Sequence, residues 1–233
     1  MDAPTSLPLL EAFSTVIFDV DGTLVDSNAA HAETWTQAFR EHGIDVQVER
    51  VRSMVGMGSD KLLPAIAAVE EDSARGRAIA HRKKELFAGR MPMLNATRGA
   101  RALVSYLRQR EKNVVVATSA DDREMKALLA QAGVADLMPQ RASKDDAAES
   151  KPDPDIVKAA LVESGARANR AVMIGDTPYD VEAARRAGVG AITLRCGGYW
   201  PDEALAGSVA IFDDPQALLL EWQRSDHSLP PAP

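Results

Sequence analysis

The sequence predicts an α/β protein whose core is a parallel β-sheet covered by helices on both faces. Two observations predict this class. Short apolar runs typical of buried strands alternate with amphipathic patterns of about ten residues. A glycine closely follows three of those patterns, as is common where helices end. Strands that alternate with helices in this way form parallel, three-layer sheets, because each helix returns the chain to the same end of the sheet.

Six apolar runs are predicted to be strands, and four amphipathic patterns between them are predicted to be helices. The first run is uncharged, and the second consists largely of valine. The predicted strands are residues 15–18, 113–117, 136–139, 171–174, 189–194 and 209–212. The predicted helices are residues 99–110, 122–132, 154–164 and 179–187.

The segment between the first two predicted strands interrupts this alternation. It contains helical patterns at 32–42, 48–55, 61–69 and 73–88 and no convincing strand. We therefore expect a helical cap domain of residues 27–95, inserted into a core domain of residues 1–26 and 96–227. Because the insert starts directly after the first strand, it is expected over the sheet end where ligands bind. A helical subdomain without a catalytic part is the alternative.

The composition indicates a soluble protein of the cytoplasm. The 233 residues carry a net charge of −7 without a basic block, so nucleic acid is not an expected partner. No apolar run reaches the roughly 20 residues that cross a bilayer. The first residues lack the basic start of a secretory signal, and the proline-rich residues 228–233 are expected to be disordered. The single cysteine, Cys196, excludes an intrachain disulfide and fits a reducing compartment.

Two acids, Asp19 and Asp21, follow the first predicted strand. Packing gains nothing from two carboxylates there, because repulsion and desolvation both oppose their joint ionisation. A cation, or a division of labour between a nucleophile and an acid, would resolve the conflict. The alternative is an Asp-Gly turn with solvated acids, but the residues that follow look helical, with Ser27 as a candidate N-cap.

Further polar residues follow the later strands. They are Thr118, Ser119, Lys151, Asp176 and Asp180. Singly, each has an ordinary explanation as a helix cap, a turn residue or a surface charge. Together at one end of a parallel sheet, the carboxylates suit Mg²⁺, and the lysine and hydroxyls suit a phosphate group. An acid beside that phosphate is placed to attack phosphorus, and a second acid to protonate the leaving oxygen.

These residues resemble the four motifs of the haloacid dehalogenase (HAD) superfamily. The matching motifs are Asp19-x-Asp21-x-Thr23, Thr118, Lys151-Pro-x-Pro154 and Gly175-Asp176-Thr177-x-x-Asp180. Their order and spacing agree with the superfamily from about residue 15 to residue 220. The resemblance implies a Rossmann-like, HAD-like core with a helical cap.

The resemblance also implies a role for each matching residue. Asp19 is expected to be the nucleophile and Asp21 the general acid/base. Mg²⁺ is expected on Asp19, on Asp176 and on the backbone carbonyl of Asp21. Phosphate is expected on Thr118, Ser119 and Lys151, with Asp180 orienting Lys151 or the waters of the metal.

Asp21 helps to choose among the activities of this superfamily. Dehalogenases and phosphonatases lack the second acid, so a Mg²⁺-dependent phosphatase for a small phosphomonoester, of the sugar phosphate or phosphoglycolate type, is the leading hypothesis. A β-phosphoglucomutase-like enzyme is the alternative, because His31 lies twelve residues after Asp19, as in those mutases. Their cap arginine is absent from residues 55–60, where Ser59 takes its place. A non-catalytic, receiver-like phospho-switch is a third hypothesis.

The cap segment 52–61 is the candidate for substrate contact. Its two glycines are suited to a loop that presents backbone N–H groups, although a structural linker is an equal interpretation. The candidate cap residues are His31, Gly56, Ser59 and Lys61. The pattern does not name the phosphoester, and it says nothing of the oligomeric state.

Overall fold

Six parallel strands form the centre of the core. The computed structural model describes residues 10–227, so the predicted tail at 228–233 lies outside the described residues. The strands are β1 (Thr15–Phe18), β2 (Asn113–Ala117), β3 (Gln140–Ala142), β4 (Ala171–Gly175), β5 (Gly190–Leu194) and β6 (Ala210–Phe212). They lie in the order β3-β2-β1-β4-β5-β6, and every neighbouring pair is parallel.

The first strand occupies the middle of this sheet. Thr15 of β1 pairs with Asn113 of β2 on one side and with Ala171 of β4 on the other. The strand order reverses between β1 and β4, and such a reversal opens a crevice at the carboxyl ends of the strands. The predicted Rossmann-like α/β core is therefore confirmed, and its binding crevice lies where β1 and β4 end.

Nine helices accompany the sheet within residues 10–227. They are α1 (Asn28–Glu41), α2 (Val48–Arg52), α3 (Ser59–Ala67), α4 (Ala74–Arg90), α5 (Ala100–Gln109), α6 (Asp122–Gln131), α7 (Asp155–Ser164), α8 (Pro178–Arg186) and α9 (Pro215–His227).

Successive residues of β1 pack on opposite sides of the sheet, as the pleat of a strand requires. Val16 and Phe18 join an apolar cluster with residues of α5, α6 and α9. Ile17 joins a second cluster with residues of α7 and α8. All four residues of β1 are buried, which explains why this strand has no charged or exposed position.

The predicted strand at 136–139 is wrong. The strand on this edge is β3, which begins at Gln140. Met138 is buried in the core from the irregular segment before β3, so its apolar character reflects packing and not strand pairing. In β3 only Ala142 is buried, so this strand has no apolar pattern for the sequence to reveal.

Helix α9 was not predicted, although its start carries a recognisable signal. Asp214 accepts a hydrogen bond from the backbone N–H of Ala217 at 2.8 Å, and Pro215 occupies the first helical position. Aspartate before proline is a common way to begin a helix. The helix covers the sheet with Leu218 and Trp222, both fully buried.

Helices α1 to α4 form the helical insert, which lies between β1 and β2 in the chain. They build an apolar cluster of their own around Trp35, Phe39, Leu62, Leu63 and Ile79. Helix α2 ends three residues before the predicted end, where the chain turns toward Gly56. The exact domain boundaries at 26/27 and 95/96 stay predictions. Among the described helices, none has the length and apolar character needed to cross a membrane.

Two leucines of α9 provide a matched test of this packing. Leu218 is fully buried, whereas Leu220 on the same helix is 46% exposed. We expect Leu218→Ala to lower the free energy of unfolding by about 2–5 kcal/mol, because it removes buried apolar surface and leaves a cavity. Leu220→Ala should change it by about 0.5 kcal/mol or less. Urea denaturation of both variants measures this difference, and equal losses would contradict the packing of α9.

Candidate active site

The candidate active site begins in a tight loop at the end of β1. The backbone N–H of Asp19 donates to the carbonyl of Ile174 at 2.9 Å, so this residue continues the pairing of β1 with β4. The loop then turns at Gly22, whose φ of +73° suits glycine. The N–H of Gly22 closes the turn by donating to the carbonyl of Val25 at 2.8 Å. Asp19 is thereby fixed at the crevice, with 3% of its surface exposed.

Lys151 is the buried cation of the site. Its Nζ lies 2.5 Å from Oδ1 of Asp19 and 2.8 Å from Oδ1 of Asp180, and only 1% of its side chain is exposed. Burial alone lowers the pKa of Lys151, but the carboxylates of Asp180 and Asp19 outweigh burial and raise the pKa above the ordinary value. The structure thus brings together three residues that lie far apart in the sequence.

Asp180 has a second task at the start of α8. Its Oδ2 accepts hydrogen bonds from the Thr177 hydroxyl at 2.7 Å, from the Thr177 N–H at 3.0 Å and from the Asp176 N–H at 3.2 Å. The Thr177 hydroxyl in turn accepts from the N–H of Asp180, which completes a capping box. One carboxylate therefore fixes both Lys151 and the backbone that carries Asp176.

Asp176 lies buried at the end of β4, and no lysine or arginine within residues 10–227 forms an ion pair with it. It accepts hydrogen bonds from Nδ2 of Asn28 at 2.7 Å and from the Thr23 hydroxyl at 3.1 Å. Burial, followed by the charges of Asp180 and Asp19, raises its pKa well above the ordinary value.

The nucleophile candidate experiences a similar excess of negative charge. Burial raises the pKa of Asp19 to about 7, and Lys151 offsets only part of this effect, while Asp180 and Asp21 add to it. Asp19, Asp176 and Asp180 each place a carboxylate oxygen within 4.8 Å of the others. Three buried carboxylates facing one lysine need a further cation, and an all-oxygen donor set suits Mg²⁺. The residues present therefore fit the expected metal.

Asp21 has a contrasting environment, although it lies only two residues from Asp19. Its Oδ1 accepts from the Ser27 hydroxyl at 2.6 Å and lies 2.8 Å from Nε2 of His31. Burial alone raises its pKa, but His31 and Ser27 outweigh burial and lower the pKa to about 2. His31 is itself fixed by stacking on Phe87, with ring centroids 3.9 Å apart.

Ser27 is the N-cap residue of α1, as predicted, although its side chain has another partner. Ser27 occupies the N-cap position of α1, but its side chain makes no capping hydrogen bond. The hydroxyl contacts the carboxylate of Asp21 instead. The hydroxyl donates its proton to this carboxylate, and the backbone of Ser27 (φ −118°, ψ −14°) lacks the extended conformation in which a serine side chain usually caps a helix. The pattern therefore located the start of the helix without identifying the partner of the side chain.

The two hydroxyl residues at the end of β2 also face the site. The Thr118 hydroxyl accepts from the N–H of Ala120 at 3.2 Å, so its own proton is left to donate. The Ser119 hydroxyl donates to the carbonyl of Gly56 in the helical insert at 3.2 Å. Both residues line a cavity between the sheet and the insert.

The candidate cap residues have different positions relative to this cavity. Its lining includes His31, Gly56 and Ser59, together with Asp19 and Asp21. Ser59 contacts Glu71 and accepts a hydrogen bond from Nζ of Lys144 at 2.9 Å.

Two further insert residues point elsewhere. Lys61 is absent from the residues that line the cavity, and it pairs with Glu149 and, at 3.0 Å, with Asp153. Arg52, the first residue of the candidate segment 52–61, donates to the carbonyl of Gly198 at 3.1 Å and does not line the cavity.

Several site residues had no signal in the sequence. Asn28 contacts Asp176 across 148 residues of chain, and Lys83 of the insert reaches Glu124 of α6 at 3.4 Å. These contacts arise only when the insert packs on the core. For Asn28 the sequence indicated only that it follows the predicted N-cap Ser27, near Asp19 and Asp21, and it gave no indication of the contact with Asp176.

Comparison with known proteins agrees with this architecture. The family model for haloacid dehalogenase-like hydrolases matches residues 16–194. A phosphoglycolate phosphatase from Rhodospirillum rubrum is 33% identical over 220 residues, which cover 89% of each chain. A fructose-1-phosphate phosphatase from Escherichia coli is 24% identical over 189 residues, 80% of this chain and 99% of that one. A crystal structure of a hydrolase from Pseudomonas syringae superposes with a TM-score of 0.84 at 25% identity, covering 93% of this chain and all of the other.

The chain therefore belongs to the haloacid dehalogenase-like hydrolase family. This finding confirms the resemblance that the four sequence motifs indicated.

Alanine substitutions at two glycines with the same backbone conformation test how tightly the loop after β1, which carries Asp19 and Asp21, is packed. Gly22 and Gly43 have φ values of +73° and +74°, but a Cβ on Gly22 would lie 2.3 Å from both Asn28 and Asp176, whereas Gly43 faces open space. We expect both alanine variants to lose about 1 kcal/mol to backbone strain. Gly22→Ala should lose at least about 1 kcal/mol more, because the Cβ displaces buried partners. Chemical denaturation measures both, and identical losses would contradict this account.

Proposed function

We propose that this chain is a Mg²⁺-dependent phosphatase that hydrolyses a small phosphomonoester, of the sugar phosphate or phosphoglycolate type, through an aspartyl-phosphate on Asp19. The observation that carries this proposal is the contact of a buried Lys151 with Asp19 beside two further buried acids. A purely structural ion pair would not need the uncompensated carboxylate of Asp176. The names of the phosphatase relatives support the same reaction class.

In the first half-reaction Asp19 acts as the nucleophile. One of its carboxylate oxygens forms a bond to phosphorus while the bond from phosphorus to the ester oxygen breaks. Asp21 enters this half-reaction protonated and gives its proton to the ester oxygen, which departs as an alcohol and leaves Asp21 as a carboxylate. Lys151, within 2.5 Å of Asp19, offsets the negative charge that the phosphoryl group brings to this carboxylate. The hydroxyl of Thr118 has a proton available for a phosphate oxygen.

In the second half-reaction Asp21 acts as a base. It takes a proton from water, whose oxygen bonds to phosphorus as the bond to Asp19 breaks, so free phosphate leaves and the carboxylate is restored. His31 and Ser27 stabilise the carboxylate form that Asp21 has after giving its proton to the leaving oxygen, which suits this step, and the proton taken from water restores the acid for the next turnover. The same pair of contacts fixes the direction in which the carboxylate points.

Asp19, Asp176 and the backbone carbonyl of Asp21 would hold the Mg²⁺. When bound, the ion supplies a Lewis acid that neutralises phosphate oxygens and the surrounding carboxylates. Asp180 would not bind the ion itself, because its two oxygens are already directed to Lys151 and to the start of α8. It would instead hold Lys151 and the backbone of Asp176 in position.

Hydrolysis is favoured over the mutase reaction by the lining of the cavity. Within the described residues, no arginine lies among those that line it. A mutase has to hold a second phosphate while the intermediate turns around. The partner we propose is therefore a single small phosphorylated metabolite. A location in the cytoplasm is supported by the one free cysteine.

Replacement of the nucleophile gives the most direct test. We expect Asp19→Asn to lower kcat by at least about a thousandfold, since the amide does not attack phosphorus. The variant should stay folded, because the substitution keeps the shape and removes a buried charge. Phosphate release and circular dichroism measure these outcomes. Asp26→Asn, the same change at an exposed position of the same loop, is the control and should retain activity. Wild-type turnover by Asp19→Asn would overturn the assignment.

Removal of the metal tests the proposed cofactor independently. Incubation with EDTA should lower turnover at least about a hundredfold, and excess Mg²⁺ should restore it. Ca²⁺ should bind without restoring the rate, because its larger and more flexible coordination shell places the phosphate less exactly. Mg²⁺ should also raise the melting temperature of wild type, since it relieves repulsion among the three acids. Full activity in EDTA would contradict a metal-dependent mechanism.

A further inference from the structure

The cavity carries three lysines besides the catalytic centre, and each already has a carboxylate partner. Nζ of Lys84 lies 2.7 Å from Asp121, and Nζ of Lys144 lies 2.7 Å from Glu71. Nζ of Lys83 lies 3.4 Å from Oε1 of Glu124. Among the described residues lining the cavity there is no further lysine and no arginine. The positive charges of these three lysines are thus neutralised by carboxylates of the protein before a substrate binds.

The pair of Lys83 and Glu124 differs from the other two pairs in its burial. The side chains of Lys83 and Glu124 are 8% and 13% exposed, whereas that of Lys84 is 55% exposed. Both partners line the cavity. Their one contact, from Nζ of Lys83 to Oε1 of Glu124, is long at 3.4 Å. The ammonium therefore retains hydrogen-bond donors, and the carboxylate retains acceptor sites.

Aromatic rings hold this ammonium in place. Nζ of Lys83 lies 4.5 Å from the centroid of the Phe87 ring and 5.8 Å from that of Trp35. Such cation–π contacts stabilise a buried cation, and they leave the N–H groups of the ammonium that face the cavity free to donate hydrogen bonds. Lys83 is therefore a fixed donor group rather than a flexible surface charge.

The pair also lies beside the proposed general acid. Nε2 of His31 is 2.8 Å from Oδ1 of Asp21 and 4.0 Å from Oε1 of Glu124. The leaving alcohol has to face Asp21 to receive its proton. The Lys83–Glu124 pair therefore lines the same cavity as Asp21, within reach of the carbon chain of such an alcohol.

We propose that the Lys83–Glu124 pair binds hydroxyl groups of the leaving alcohol, so that the substrate is a phosphate ester of a neutral polyol such as a sugar. This inference rests on the proposed function and narrows it. A hydroxyl accepts from the ammonium and donates to the carboxylate, so it matches both partners. A carboxylate on the substrate matches Lys83 but is repelled by Glu124 and Asp121, which disfavours phosphoglycolate.

A set of three esters tests the preference of the wild-type, Mg²⁺-loaded protein. The set consists of fructose 1-phosphate as the polyol ester, 2-phosphoglycolate as the acidic ester, and ethyl phosphate as the ester without a further polar group. We expect kcat/KM for fructose 1-phosphate to exceed that for ethyl phosphate by at least about tenfold, and 2-phosphoglycolate to be the poorest of the three. A preference for 2-phosphoglycolate would overturn the inference and leave the phosphatase assignment intact. Hydrolysis of none of the esters would overturn the phosphatase assignment itself.

Glu124→Gln then tests the pair. The amide keeps the shape of the side chain but removes the charge that balances Lys83. We expect kcat/KM for fructose 1-phosphate to fall by about tenfold and that for 2-phosphoglycolate to rise by about fivefold or more, while ethyl phosphate changes little. An equal loss for all three esters would show that Glu124 acts on the reaction centre through His31 and would overturn the proposed specificity role.

Two further variants complete this experiment. Lys83→Gln should lose activity toward fructose 1-phosphate without the gain toward 2-phosphoglycolate, because no unbalanced cation remains. Asp122→Asn is the matched control on the same helix, since its side chain is 48% exposed and pairs with Lys126 outside the cavity. It should leave all three kcat/KM values unchanged. Unchanged values in Lys83→Gln as well would overturn the inference.

Discussion

The repulsion among three buried carboxylates is the constraint on which the rest of the site depends. Asp19, Asp176 and Asp180 come from the ends of β1 and β4 and from the first turn of α8, and a single lysine lies among them. Only the reversal of strand order between β1 and β4 brings these ends together. The tight loop, the capping box and the buried lysine can each be understood as a means of holding charges that would separate in water.

The same constraint explains how two neighbouring acids acquire different chemistry. Asp19 has burial and like charges around it, which raise its pKa to about 7. Asp21 has an imidazole and a hydroxyl as partners, which bring its pKa to about 2 in spite of burial. In a regular strand residues two apart point to the same face, so Asp19 and Asp21 enter different surroundings because the chain has left β1 after Phe18 and turns at Gly22. Opposite environments for paired acids are a general means of dividing catalytic roles.

The local parts of the fold were predictable from the sequence, and the long-range parts were not. β1, β2 and β4 carry apolar runs because both of their faces are buried, so the pattern located them. β3 lies at the edge with little burial, and its position was missed. The acids and Lys151 could be found because each follows a strand or precedes a helix. Lys83, Glu124 and Asn28 could not, since their partners are set by how the insert meets the core.

The first turn of α1 belongs to the insert by sequence and to the catalytic centre by contact. Asn28 holds Asp176, and three residues later His31 holds Asp21. If the insert swings outward to admit substrate and this turn travels with it, Asp176 loses Asn28 and Asp21 loses His31 in the same motion. In such an open state Asp21 and Asp176 are not held in position, so the site is inactive while water has access to it. Admission of substrate and assembly of the site would then exclude one another, because both depend on the position of residues 28–31.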